Sequence, residues 1–304
     1  MNEYRCPELL IAGEWRKGSH TERSQIVNPA TGDVLDELSL ASQDDLQAAL
    51  NATQTGFEQW RAVPAHQRCA ILERGVARLL ENTDKIAMLL TLEQGKPLAE
   101  ARMEVALAAE LIKWYAEEAK RVYGRIVPAR FPNSRMDVLK FPVGPVAAFS
   151  PWNFPLVLSS RKIGGALASG CSIILKGAEE TPASLAAMVA CLAEELPAGA
   201  LQLVYGVPSE VSETLISSPI IRKVTFTGSV PVGRHLAQMA AKHLKRITLE
   251  LGGHAPVLVF DDTDIERAVG MLAQHKFRNA GQACLAPTRF YVQEGIYQDF
   301  TDAF

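Results

Sequence analysis

Two side chains in this sequence, Cys284 and Glu250, combine types and settings suited to covalent chemistry. Cys284 closes the run Phe277-Arg278-Asn279-Ala280-Gly281-Gln282-Ala283-Cys284, a setting of small and polar residues. Apolar residues at Ile265, Ala268, Val269, Leu272 and Ala273 predict a helix over 264–277 that runs into this segment. Asn279 and Gly281 break that helix, which leaves the cysteine on a loop at an element end. Inert cysteines lie among apolar neighbours, whereas nucleophilic ones occupy partly exposed polar turns. The bland alternative is a small hydrophobe packed under the loop. Glu250 lies 284 − 250 = 34 positions upstream, in an apolar run over 247–251 closed by Gly252 and Gly253. That run reads as a short buried strand, where a carboxylate is costly unless it is paired, hydrated or used as a base. A salt bridge to Lys245 or Arg246 is the competing role. Brought to one crevice, the pair would supply a thiolate nucleophile and a water-activating base.

The elements that must position them follow from the pattern after Pro145. Short apolar strands over 146–150, 172–176, 201–205, 223–227 and 247–251 alternate with helical stretches over 155–169, 182–195, 208–217 and 231–243. The implied fold class is α/β, a parallel sheet covered on both faces with right-handed crossovers. Ligands then bind beyond the carboxyl ends of the strands. Four motifs fall there: Trp152-Asn153, Lys176 with Glu179, Gly228-Ser229, and Glu250. Thr227-Gly228-Ser229 follows a strand and opens a helix, with Gly233 one turn on. Backbone N–H groups at such a start suit a pyrophosphate. Glu179 can accept hydrogen bonds from ribose hydroxyls and would repel a 2′-phosphate, so NAD is favoured over NADP. A solvated ion pair between Lys176 and Glu179 is the alternative. Asn153 sits between Pro151 and Pro155, whose rings fix the backbone around it.

Before the sheet, residues 9–40 read as short β segments with turns, and four helices follow. Ser42 with Asp45 resembles a capping box, Pro64 opens the second helix, Gly95 ends the third, and the fourth runs over 97–122. Trp60, Trp114 and Tyr115 on these helices are expected to pack. Residues 124–142 form a hairpin of two extended runs around Pro132-Asn133-Ser134, with edges that invite another chain to pair.

The net charge of −3, spread along the chain, gives no basis for a nucleic-acid or membrane-surface partner. Five cysteines without Cys-x-x-Cys spacing exclude a disulfide framework or metal site of that kind, and suit a reducing cytoplasm. No apolar run approaches the ~20 residues of a membrane helix, and the amino terminus lacks the pattern of a signal peptide.

Glu250-Leu251-Gly252-Gly253 and Gly281-Gln282-Ala283-Cys284 at this spacing resemble the NAD(P)-dependent aldehyde dehydrogenase superfamily. Pro151-Trp152-Asn153-Phe154-Pro155 and Phe226-Thr227-Gly228-Ser229 fall in the matching order, and the likeness runs from Asn28 to Phe304. Within the superfamily the chain is most similar to the succinate-semialdehyde dehydrogenase branch. The resemblance implies a Rossmann-like NAD-binding domain with a helical N-terminal part, over 1–123 and 143–252. It also implies an oligomerisation hairpin over 124–142, a homodimer or homotetramer, and the first part of a second α/β catalytic domain over 253–304. The cofactor cleft would include Ser150, Trp152, Asn153, Lys176, Glu179, Thr227, Gly228, Ser229 and Leu251. Asn153 and the Cys284 backbone N–H become oxyanion donors, and Lys162 lies near the nicotinamide ribose. The implied cycle is thiolate attack on the aldehyde, hydride transfer from the thiohemiacetal, and hydrolysis of the thioester by water activated at Glu250. Arg161 and Arg278 match arginines that hold the anionic tail of a carboxylated semialdehyde, with succinate semialdehyde favoured and glutarate or 2-oxoglutarate semialdehyde equally served by the pair. The resembled family continues well over a hundred residues past the position of Phe304, so the chain is expected to be an N-terminal portion. An NAD-binding module without turnover is the competing expectation; a CoA-acylating relative is disfavoured because it needs no base at Glu250.

Overall fold

The computed structural model describes residues 4–304. The chain opens with β1 (Leu9–Ile11), β2 (Glu14–Arg16), β3 (Arg23–Val27) and β4 (Val34–Ser39). Four helices follow: α1 (Gln43–Ala62), α2 (Ala65–Glu81), α3 (Thr83–Gln94) and α4 (Leu98–Glu118). The capping box at the start of α1 forms, with Ser42 Oγ accepting from the Asp45 N–H and the Asp45 carboxylate accepting from the Ser42 N–H. Trp60 is buried and donates to the Leu167 carbonyl at 2.8 Å, whereas Trp114, expected to pack, is exposed. Its place on α4 faces away from α2 and α5, which cover the other side of that helix.

Then come β5 (Arg125–Val127) and β6 (Met136–Val138), an antiparallel hairpin. The repeating part consists of β7 (Val146–Phe149), α5 (Pro155–Ala168), β8 (Ile173–Lys176), α6 (Pro182–Ala193), β9 (Leu201–Val204), α7 (Pro208–Ser217), β10 (Lys223–Gly228), α8 (Val230–Lys242) and β11 (Arg246–Leu251). Each of the helices α5 to α8 starts with a proline in its first turn, where the missing N–H costs nothing.

The main sheet has the order β11-β10-β7-β8-β9-β1-β2. Its five strands from β11 to β9 are parallel, and β1 and β2 extend it antiparallel. The central strands β7, β8 and β9 are buried at every position, because helices lie on both faces. One layer contains α2 to α6 and the other α1, α7 and α8. The chain therefore winds outward from β7 through β8 and β9, changes face at α7, and returns to β10 and β11 on the far side of β7. This is a doubly wound fold. Gly56 of α1 lies so close to the loop before β9 that an added Cβ would meet the Gly199 carbonyl carbon at 2.2 Å.

One strand departs from expectation. The run over 247–251 is not a buried strand: β11 is the edge of the sheet, and its side chains alternate between exposed and half-buried. An edge position, with α8 on one face, leaves alternate residues in solvent.

The last part comprises β12 (Ala255–Val259), α9 (Ile265–Phe277), β13 (Pro287–Val292) and α10 (Tyr297–Ala303). β12 and β13 pair in parallel as a separate two-stranded sheet linked through α9. Phe290, Phe300 and Phe304 form a ring cluster beneath it. Among the described residues, no helix is long and apolar enough to cross a membrane.

Candidate active site

Strands β7 and β10 are neighbours whose chains leave toward opposite ends of the sheet, so a crevice opens where they part. The segment after β7 and the turn after β10 line its mouth. Ser150 is buried there and its Oγ has no hydrogen-bond partner, an unmet donor and acceptor at the carboxyl end of β7. Across from it, Ser229 precedes α8 in extended conformation and its side chain caps nothing, so the first N–H groups of α8 stay unclaimed by that hydroxyl. Gly233, one turn into α8, carries no Cβ because Leu251 Cδ2 would sit 2.5 Å from it; the helix packs directly on β11. Thr227 is buried and its hydroxyl accepts from Lys162 Nζ at 2.7 Å. Gly228 lies half-buried between Thr227 and Ser229, and Trp152 stands partly exposed on the opposite lip.

Lys162 sits on the buried side of α5. Burial pulls its ammonium pKa down to about 8; the Glu250 carboxylate opposes that shift and Arg161 deepens it. Lys162, Arg161 and Glu250 therefore share one electrostatic neighbourhood. Glu250 itself is exposed at the carboxyl end of β11 and takes no ion-pair partner among the described residues. Lys245, a competing partner on sequence grounds, donates instead to the carbonyls of Ser218 and Ile221, both at 2.6 Å.

Lys176 and Glu179 do form an ion pair at the carboxyl end of β8, the alternative role considered for them. The second Glu179 oxygen accepts from the Gly206 N–H at 3.0 Å. The carboxylate is thus fixed in place at the edge of the crevice. A dinucleotide fits this set: an orphaned Ser150 hydroxyl, an open helix start for phosphate, and an anchored carboxylate for ribose hydroxyls.

The cysteine loop reaches the same place. Asn153 Nδ2 donates to the Gln282 carbonyl at 2.8 Å, two residues before Cys284, and one amide hydrogen is left over. Asn279, fully buried, donates through Nδ2 to the Asn153 carbonyl at 2.9 Å, and its backbone N–H donates to Glu100 Oε2 at 2.8 Å. Lys96, also buried, donates to the Asn153 carbonyl at 3.0 Å, stands 4.3 Å from the Phe154 ring centroid, and pairs with Glu104. The other Glu104 oxygen takes the first free N–H groups of α5, from Leu156 and Val157. Cys284 is exposed at the end of this loop.

Arg278 stacks over Phe154 at 5.7 Å from its centroid, and Arg161 lies seven residues further along α5. Arg278 thus lies beside the start of α5 and Arg161 within its second turn. Both are exposed, and neither has an ion-pair or hydrogen-bond partner among the described residues.

The structure brings Lys162 to Thr227, beside Gly228 and Ser229, and Asn153 to the cysteine loop at Gln282, while Glu100, Lys96 and Glu104 were missed. Glu104 left one signal: an acid on the apolar stripe of α4, between Ala101, Val105 and Ala108, demands a partner.

The profile of the aldehyde dehydrogenase family matches residues 15–304. The 4-(hydroxymethyl)benzenesulfonate dehydrogenase TsaD1 of Comamonas testosteroni is 75% identical over 301 residues, covering 99% of this chain and 63% of the relative. The succinate-semialdehyde dehydrogenase [NADP(+)] GabD of Escherichia coli (strain K12) is 43% identical over 296 residues, covering 97% of this chain and 61% of its own length. A solved structure described as an E. coli NADP dependent enzyme superposes with a TM-score of 0.95 at 43% identity, covering 98% of this chain and 62% of that one. The chain spans under two thirds of the length of the relatives it matches. With that match across nearly its whole length, the chain belongs to the aldehyde dehydrogenase family.

Proposed function

We propose that this chain contributes the nucleophile, the hydrolytic base and the dinucleotide cleft of an enzyme that oxidises an aldehyde bearing an anionic group. The observation that carries the substrate class is the pair Arg161, on α5, and Arg278, stacked over Phe154 at the start of α5, both exposed and without carboxylate partners among the described residues. A guanidinium without an ion-pair partner favours a carboxylate or sulfonate, which it can hold bidentately. The relative at 75% identity supports an arylsulfonate, so 4-formylbenzenesulfonate, one oxidation level above the alcohol in that relative's name, is the first candidate. Succinate semialdehyde is the second, on the strength of the relative at 43%. Glutarate and 2-oxoglutarate semialdehydes present the same carboxylate.

In this reading the Cys284 thiolate adds to the aldehyde carbon, while the spare Asn153 amide hydrogen and the Cys284 N–H hold the oxyanion. A bound nicotinamide dinucleotide would supply the hydride acceptor. Glu250, exposed and unpaired at the carboxyl end of β11, takes a proton from the water that attacks the thioester. Lys162 holds Thr227 at the cofactor side of the cleft. The anchored Glu179 carboxylate favours NAD, because a 2′-phosphate beside it would meet like charge. The five thiols, all unpaired, fit a reducing cytoplasm. The hairpin over 124–142 exposes Ile126, Phe131, Leu139 and Phe141, and our reading is that a second copy covers them in a homodimer or homotetramer.

The test is absorbance at 340 nm for a polypeptide containing residues 1–304, given NAD or NADP with 4-formylbenzenesulfonate, succinate semialdehyde or benzaldehyde. We expect the anionic aldehydes to be preferred, and Arg161→Ala with Arg278→Ala to raise their KM about tenfold or more while sparing benzaldehyde. Equal use of benzaldehyde and the anionic aldehydes by the unsubstituted protein would contradict the substrate class.

A further inference from the structure

The loop that ends at Cys284 is bent through three successive left-handed residues: Asn279 at φ 55°, Ala280 at φ 54° and Gly281 at φ 76°. Glycine tolerates that region, but alanine does not favour it, and such conformations persist only where the surroundings over-determine them. Here the surroundings are identifiable. Glu100, in the first turn of α4, takes the Asn279 N–H although the two are 179 positions apart in the sequence. The Asn279 side chain ties to the Asn153 carbonyl, and Gln282 Nε2 returns to the Asn279 carbonyl at 3.1 Å. The Asn153 amide closes the circuit on the Gln282 carbonyl. Two of these bonds, Asn279 to Asn153 and Asn153 to Gln282, join the segment before α5 to the cysteine loop; the one from Gln282 to Asn279 lies within the loop, and the one to Glu100 ties the loop to α4.

We propose that Glu100 and Asn279 are positioning residues that hold the strained turn so that the Cys284 thiol faces the amide of Asn153. Neither touches the reacting atoms. Their effect is to fix the sulfur and its own backbone N–H relative to the Asn153 donor, which is the geometry that stabilises an oxyanion. The proposal rests on Cys284 being the nucleophile described above.

Two reactions of the same thiol separate positioning from mere folding. Acylation by p-nitrophenyl acetate forms a sulfur–carbon bond, builds an oxyanion and expels p-nitrophenolate. Alkylation by iodoacetamide displaces iodide and builds none. Both are followed at Cys284 by peptide mass spectrometry, with amide hydrogen exchange over 279–284 as a third reading. We expect Glu100→Ala and Asn279→Ala to slow acylation about tenfold or more, the order of a weakened oxyanion donor. Alkylation should stay within about twofold, and exchange over 279–284 should quicken. Glu100→Gln keeps an amide oxygen for the Asn279 N–H and should restore all three readings. An unchanged ratio of acylation to alkylation in Glu100→Ala, or a Glu100→Gln protein as impaired as Glu100→Ala, would overturn the proposal. If the unsubstituted Cys284 resists acylation, the nucleophile assignment fails instead; unchanged exchange in Glu100→Ala would then overturn the latch by itself.

Discussion

Lys162 is the side chain whose charge state carries the clearest consequence for stability. Its folded pKa of about 8 lies below the ordinary lysine value, so below pH 8 the fold bears the cost of a buried ammonium. Between pH 8 and the unfolded value near 10.4, the folded protein holds fewer protons than the unfolded chain, and stability contributed by this group rises with pH. Lys162→Met removes the effect. Denaturant unfolding of both proteins at pH 7 and at pH 10.5 should show the difference in stability shifting by about 3 kcal/mol in favour of the unsubstituted protein as pH rises. A constant difference would mean that the ammonium is well hydrated. Cys284 and Glu250 were legible as residues because their types are conspicuous in small-residue and apolar settings. Lys96, Glu100 and Glu104 were not, since what distinguishes them is a partner 57, 179 or 52 positions away.

Elements repay sequence reading where a local signal fixes them. The Ser42 capping box was visible because both halves lie within four residues, and Ser42→Ala should cost about 1 kcal/mol in urea unfolding. The strands β7, β8 and β9 declared themselves through apolar runs bounded by helices. β11 looked like them, but an apolar run does not reveal whether a strand ends up at the centre or the edge. Close approach between elements is equally silent in sequence. Gly56→Ala would drive a methyl group into the backbone at Gly199, with no flexible side chain to yield, and should destabilise by roughly 3 kcal/mol. The buried Lys96–Glu104 pair joins the start of α4 to the start of α5. Burial presses Lys96 toward its neutral form and Glu104 toward its protonated form, each opposed by the other's charge. Lys96→Met leaves Glu104 without its counter-ion and should cost about 3–5 kcal/mol, measured as a lowered urea midpoint.

At the scale of the molecule, alternation of strand and helix announced a parallel sheet, but not that β1 and β2 would extend it beyond β9. That pairing joins residues 193 positions apart, Leu10 with Leu203, and no local pattern encodes it. The exposed apolar residues of the hairpin give the proposed assembly its test. Ile126→Lys together with Phe141→Lys should convert a dimer or tetramer into smaller species in sedimentation velocity, with helix content retained. Under the proposed function, the sulfur of Cys284 bears the acyl group that Glu250 helps to hydrolyse. In a Glu250→Gln polypeptide containing residues 1–304, mixed with NAD and 4-formylbenzenesulfonate and quenched in acid, we expect an acyl adduct on the Cys284 peptide that depends on NAD. Oxidation of the aldehyde with Cys284 unmodified, or an adduct on another residue, would contradict it.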